Sequence, residues 1–400
     1  MNYDIILIGA GIVGLATALK ILEAKPELKL LIIEKENDIC KHQTGNNSGV
    51  IHSGIYYKPG SLKAQNCKRG YKLLLEFCDE HKVKYEICGK VIVATNENEL
   101  LALDNIYKRG IENGLKEIKY LSKSELKEIE PNVNGIKGVH VPQTGIINFT
   151  EVAKEIEAQL KKNNVEIIFN EEVKNILQYE DSIKVITDKN LYKTNSLVSC
   201  AGLHSDRIAK LTDKKLPIRI IPFRGEYFKL KNEKRNLVNS LIYPVPDPAF
   251  PFLGVHFTKM INGEVEAGPN AVLSFKREGY SKFSFNAKDC FETFTWPGFL
   301  TVAKKFWKTG LGEFHRSYSK RAFVKALQKL IPEISEHDLE PGGAGVRAQA
   351  CDISGGLLDD FYFVENKNIV HVCNAPSPAA TSSFAIGETI AVKLLSRFNR

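Results

Sequence analysis

Residues 3–14 read Tyr3-Asp4-Ile5-Ile6-Leu7-Ile8-Gly9-Ala10-Gly11-Ile12-Val13-Gly14, an apolar run that breaks into the spacing Gly-x-Gly-x-x-Gly. The run predicts a strand and the glycines a tight turn, and residues 12–24 carry the apolar period of a helix. Residues 28–34 form a second run rich in Leu and Ile, which completes a βαβ unit. In that context the glycines are a dinucleotide fingerprint. Gly9 makes the turn, Gly11 lets a pyrophosphate approach the backbone, and Gly14 lets helix and strand pack closely. The helix start at Ile12 and Val13 offers unpaired N–H groups and a positive dipole end to phosphates. Glu34, followed by Lys35, ends the second strand about 20 residues on, where a carboxylate accepts from ribose hydroxyls. The competing use of such a turn is packing alone.

Working outward, the next stretch is His42-Gln43-Thr44-Gly45-Asn46-Asn47-Ser48-Gly49-Val50-Ile51-His52-Ser53-Gly54. A plain nicotinamide domain would enter its next helix here. A polar, glycine-rich segment instead suits a second phosphate and a flavin ring, with Thr44, Asn47, Ser48, Gly49, Val50 and His52 as candidate contacts. This favours FAD over NAD, with a surface loop as the alternative. Further on, a strand is expected at 88–95 and a helix at 97–113, and Ser122 with Glu125 forms a capping box. Thr150 is the expected N-cap of a helix at 151–162, followed by a strand at 165–169. Three short strands are expected between 173 and 192, then a separate strand at 197–200 running into Ala201 and Gly202, further candidate cofactor contacts. Residues 216–268 read as all-β with a turn at Pro244, Pro246 and Pro248, and 287–330 as helical. Strands at 361–365 and 369–373 and a helix at 378–398 close the chain. The fold class predicted is α/β. A Rossmann-like FAD-binding domain (1–90, 150–215 and 335–400) carries an inserted α+β, mixed-sheet substrate domain (91–149 and 216–334).

Hydrophobic residues make up 43% and charged residues 26% of the 400, which excludes disordered and fibrous classes. The eight cysteines form no C-x-x-C pair, so no metal site is expected, and reduced thiols fit a cytoplasmic protein. There is no signal-like segment and no apolar run of about 18 residues, so secretion and a spanning helix are not expected. The net charge of +8 suits anionic partners such as a dicarboxylate or a phospholipid surface. Nucleic acid is not expected, since no recognised motif accompanies the charge.

The stretch 47–63, Asn-Ser-Gly-Val-Ile-His-Ser-Gly-Ile-Tyr-Tyr-Lys-Pro-Gly-Ser-Leu-Lys, resembles the corresponding segment of L-2-hydroxyglutarate dehydrogenases and oxidases. These are FAD enzymes of the D-amino-acid oxidase-like superfamily. The resemblance extends through 200–206 (Cys-Ala-Gly-Leu-His-Ser-Asp), 222–227 (Pro-Phe-Arg-Gly-Glu-Tyr), 345–349 (Gly-Val-Arg-Ala-Gln) and 374–381 (Asn-Ala-Pro-Ser-Pro-Ala-Ala-Thr), and so covers nearly the whole chain. It implies a glutathione-reductase/D-amino-acid oxidase type of FAD domain and oxidation of L-2-hydroxyglutarate to 2-oxoglutarate. It also implies electrons passed to a membrane quinone or to oxygen, and a backbone contact from Val173 to adenine.

That chemistry requires a base for the hydroxyl proton, a hydride acceptor, which is N5 of a flavin, and a cation for the carboxylate. His52, inside the flavin-wrapping segment, is the first candidate base, although a histidine there also suits packing against the ring. His256, in an expected strand at 252–258, is its rival, with a structural role as the alternative. Arg347, flanked by glycines, is the candidate carboxylate clamp, unless it binds a phosphate. Lys58, Arg224 and Tyr243 are weaker candidates for a second carboxylate. Pro376, Ser377, Ala379, Ala380 and Thr381 precede the last helix and are small enough to bring its N-terminus against the flavin. The segment Trp296 to Lys308 places aromatics and lysines together, a candidate peripheral membrane contact on the cytoplasmic face of an inner membrane, although such spacing also suits a core. Related substrates (glycerol 3-phosphate, malate, an amine) and a flavin domain in RNA modification are the competing functions.

Overall fold

The computed structural model describes residues 2–247 and 252–396. Four strands lie parallel at its centre, Leu191–Ser199, Asn2–Ile8, Leu30–Ile33 and Glu166–Ile168, and Ile5 to Ile8 and Leu30 to Ile33 are unbroken runs of Ile and Leu. Such composition belongs to a sheet covered on both faces, and the alternation in the first strand shows how. Ile5 and Leu7 pack with the helices Ile12–Ala24, Phe149–Lys162 and Ser383–Leu395, while Tyr3, Ile6 and Ile8 pack with the antiparallel strands Val173–Gln178 and Ile183–Thr187. Ile369–Asn374 adds a further parallel strand, and Tyr362–Asn366 pairs with it to complete eight.

Three expectations change here. The third short strand and the strand at 197–200 are one, Leu191–Ser199, whose first half pairs with Ile183–Thr187 and whose second half pairs with Ile369–Asn374. Asn148, not Thr150, caps the helix Phe149–Lys162, its side chain accepting from Thr150 N at 3.0 Å. The last helix begins at Ser383, because Pro376 to Ser382 form turns; its expected end at Phe398, like the expected turn residue Pro248, lies outside the described residues. The Ser122–Glu125 capping box is present.

A second, nine-stranded mixed sheet is built around Ile218–Leu230, Leu241–Pro244, His256–Lys259 and Lys90–Ala94. Leu339–Asp352 pairs with Ile218–Leu230 over almost its whole length and therefore lies in this sheet, although its place in the chain groups it with 335–400. Register fixes what one face of this sheet presents. Tyr243 lies opposite Ile92, and Ile242 opposite Phe257. With side chains alternating, Lys90, Tyr243 and His256 therefore share a face. His256 lies opposite Gly268, and Phe228 opposite Ala267, which puts Tyr227 on that face too. Phe223 lies opposite Arg347, which adds the arginine. Helices Ala287–Phe294, Pro297–Tyr318 and Lys320–Leu327 follow, the middle one kinked at Phe306.

Candidate active site

A cavity of about 930 Å³ runs from the glycine turn of the first sheet to the shared face of the second. At its first end Gly9 takes φ +102, where a Cβ would meet the Cys200 carbonyl oxygen at 2.6 Å. At Gly14 a Cβ would lie 2.1 Å from the Gly9 carbonyl oxygen. Gly14 therefore lies behind the wall and packs, whereas Gly9, Gly11, Ile12 and Val13 line the cavity. Gly11 caps the helix without a side-chain bond, and Thr44 Oγ1 accepts from Ile12 N at 3.1 Å. Glu34 is aimed by two backbone amides, Ala10 N at 2.7 Å and Glu36 N at 3.0 Å.

Most of the remaining expected cofactor contacts line the same space: Lys35, Thr44, Asn47, Ser48, Val50, His52, Val173, Ala201, Gly202, Pro376, Ser377, Ala379, Ala380 and Thr381. Strand pairing slips between Val173 and Asn175, beside the expected adenine contact. Gly49 does not line it. Its φ of +64 and the Ile147 carbonyl, 2.5 Å from where a Cβ would stand, make it a turn residue. Thr381 ties the segments together, accepting from His52 N at 3.1 Å and donating to the Val50 carbonyl at 3.3 Å. Backbone at the glycines, a helix start whose cap residue Gly11 carries no side chain, small residues and an aimed carboxylate are the donor and acceptor set FAD requires, and the residues fit it.

At the other end, His52 Nε2 lies 3.3 Å from the exposed Ser377 hydroxyl. His256 Nδ1 donates to the Gly254 carbonyl at 2.8 Å, which leaves Nε2 as the lone-pair nitrogen of the neutral ring. Burial pulls both imidazoles down to about 3, assisted for His52 by the cations Lys90 and Lys63. Both are therefore neutral at pH 7. The His256 ring packs tilted against Tyr243, ring centroids 3.9 Å apart. Arg347 donates to the Asn270 carbonyl at 3.3 Å and stands 5.2 Å from the Phe252 ring centroid. It has no ion-pair partner among the described residues, and burial lowers its pKa.

Two expected substrate contacts lie elsewhere. Lys58 is exposed and outside the cavity wall. Arg224 is buried in an ion pair with Glu226, Nη2 to Oε1 at 2.8 Å, and also donates to the Ser281 carbonyl. Sequence reasoning missed Lys63, which lines the cavity and pairs with Asp359 at 2.7 Å, and Lys90, buried beneath Tyr243. The only signal for Lys90 was a charge ahead of the apolar run Val91 to Ala94, which reads equally as a solvent-facing strand end. Among the described residues Glu36, His42 and Glu278 bring ligand atoms within 4.8 Å of one another. Lys35 Nζ already bridges Glu36 and Glu278, so the anionic cluster holds a protein cation.

The family described as FAD dependent oxidoreductase matches residues 4–392. The chain is 53% identical to an L-2-hydroxyglutarate dehydrogenase of Indibacter alkaliphilus, over 100% of both chains. It is 44% identical to the protein of that name from Escherichia coli K12, over 98% of this chain and 93% of the other. Among solved structures it resembles the L-alpha-glycerophosphate oxidase of Mycoplasma pneumoniae with FAD bound, at 25% identity and a TM-score of 0.80, covering 99% of this chain and 95% of the other.

Proposed function

The chain belongs to the FAD-dependent oxidoreductase family, and from that premise we propose that it oxidises L-2-hydroxyglutarate to 2-oxoglutarate. The observation that carries the reading is Arg347, a cavity-lining guanidinium without a carboxylate partner, on the sheet face that also presents the neutral His256. Bound FAD supplies the acceptor for the hydride that leaves the carbinol carbon. Arg347 holds the carboxylate next to that carbon through a planar, bidentate fork.

His52 takes the hydroxyl proton. Its neutral ring is the competent form, and the contact of Nε2 with the exposed Ser377 hydroxyl gives the proton a way out to water. His256, its tautomer set by Gly254, accepts a hydrogen bond at Nε2 and orients the hydroxyl. The first sheet thus serves the cofactor, the second presents Arg347 and His256 to the substrate, and His52, on neither sheet, supplies the base.

The test is an anaerobic flavin spectrum with L-2-hydroxyglutarate, its D-enantiomer, L-malate and glycerol 3-phosphate. Bleaching by the first alone is expected. Bleaching by glycerol 3-phosphate alone would move the chain to the activity named for the structure it resembles.

Electrons leave by a quinone, with the protein resting on a membrane surface. No helix among the described residues is long and apolar enough to cross one. Of the expected contact Trp296 to Lys308, Trp296, Phe299 and Val302 are buried in the core, but Phe283, Phe285, Phe291, Leu300, Trp307 and Leu311 are all more than half exposed around the kinked helix, and Lys288, Lys304, Lys305 and Lys308 are exposed with them. Apolar side chains ringed by ammonium groups suit an anionic lipid interface. Sedimentation with anionic but not neutral vesicles at low salt is expected, and failure to sediment with either would remove this part.

A further inference from the structure

Lys90 begins a strand whose next four residues, Val91 to Ala94, are wholly buried, and it is itself only 1% exposed. A buried ammonium is normally paired with an acid, because removing it from water otherwise costs several kcal/mol. Lys90 has no hydrogen-bond or ion-pair partner among the described residues. Its Nζ stands 4.5 Å from the Tyr56 ring centroid and 4.9 Å from that of Tyr243. The Tyr56 hydroxyl is also buried without a hydrogen-bond partner. Two donors therefore occupy one aromatic pocket with nothing to receive them, a costly arrangement for a protein to keep.

The pocket is placed for a ligand. Tyr243, which separates Lys90 from the cavity, lines that cavity and packs against His256. Lys90 is close enough to His52 and His256 to depress both imidazoles. Lys63, the other nearby lysine, lines the cavity but already has an ion-pair partner in Asp359. The two cations without an ion-pair partner at this end are thus Arg347, on the cavity wall, and Lys90, directly behind that wall beneath Tyr243, with His256 feeling the charge of both.

We propose that Lys90, with the Tyr56 hydroxyl, forms the subsite for the distal carboxylate of a dicarboxylic substrate and so makes the enzyme selective for dicarboxylates over monocarboxylates. Arg347 takes the carboxylate beside the reacting carbon and Lys90 the one at the far end. The chain between them brings the carbinol to the histidines, and the anion supplies the counter-charge that Lys90 lacks. This assignment rests on the hydroxy-acid reading above, but its test does not require turnover.

The dissociation constants of glutarate and of pentanoate, five-carbon acids with two carboxylates and one, are measured on the FAD-loaded protein by calorimetry. Wild type and Lys90→Met are compared. Wild type is expected to hold glutarate more tightly. Lys90→Met is expected to weaken glutarate roughly 100-fold, the scale of a lost charged hydrogen bond, and to erase most of the preference. Because the variant removes an unpaired buried charge, its melting temperature should not fall below that of wild type, which separates this role from a structural one. Equal weakening of both acids, or no change in either, overturns the proposal, as does a wild type without preference for glutarate. If glutarate binding depends on Lys90 while L-2-hydroxyglutarate fails to reduce the flavin, the subsite stands and the substrate reading falls.

Discussion

The two ends of the cavity are built by opposite strategies. At the cofactor end the chemistry is done largely by backbone, from contiguous segments: residues 9–13, 44–48, 201–202 and 376–381. At the substrate end it is done by single side chains from strands far apart in the chain, among them Lys90, Tyr243, His256 and Arg347. A backbone site fails when space is filled. A side-chain site fails when a charge or a proton acceptor is removed, and it leaves the fold standing. Substitutions at the two ends should therefore break different things.

The largest effect belongs to the backbone end. Gly14→Val places a branched side chain where even a Cβ would lie 2.1 Å from the Gly9 carbonyl oxygen, so the protein should purify without flavin or fail to accumulate. A normal 450 nm flavin band would break the comparison. At the other end His52→Ala should keep its flavin while kcat falls by about 10² to 10⁴, the usual contribution of a positioned base. His256→Ala should cost less, about tenfold, if it orients rather than accepts the proton. Arg347→Ala should raise KM roughly 100-fold with FAD content unchanged, as expected for a lost bidentate clamp.

The pH profile sharpens the same contrast. The groups facing one another at the substrate end are Lys90, His52, His256, Arg347, Cys67, Lys63, Tyr56, Tyr227 and Tyr243. With both imidazoles depressed to about 3 by burial, each is already a free base above that pH. The acid-side loss of kcat/KM should therefore fall well below pH 6.5. Burial pulls Lys90 from the ordinary lysine range to about 7, so it loses its charge as pH rises through that value. KM for the dicarboxylate should then climb above about pH 7, and Lys90→Met should flatten that climb.

The same contrast explains what the sequence disclosed. The βαβ unit was readable because the apolar runs, the glycine spacing and Glu34 lie within 34 consecutive residues, so local pattern and final contact coincide. The small residues of 376–381 were readable for the same reason, even though their helix starts later than its pattern suggests. Lys58 lies in the stretch that carries the resemblance, yet it is solvent-exposed. Lys90 lies outside it and is buried at the site. Nothing in a one-dimensional pattern tells a charge at a strand end from a charge beneath a tyrosine; the register of the second sheet does.

Arg224 is where the comparison predicts the smallest catalytic effect. It flanks Gly225, which lines the cavity, but neighbouring strand residues point to opposite faces, and Arg224 turns away to Glu226. Glu226 also accepts from Ser317 Oγ at 2.9 Å and Asn270 Nδ2 at 3.0 Å. Arg224→Met would leave that carboxylate buried without its guanidinium, a loss of about 3 to 5 kcal/mol for a broken buried pair. Replacing both partners by apolar residues should restore part of that stability, since the uncompensated charge goes with the second change. KM and kcat of whatever folds should stay within about twofold of wild type, because a strand that holds its register leaves the clamp in place on the opposite face. Measured together, a lower melting temperature with unchanged KM assigns Arg224 to the scaffold. A KM rise comparable to that of Arg347→Ala would instead return it to the substrate.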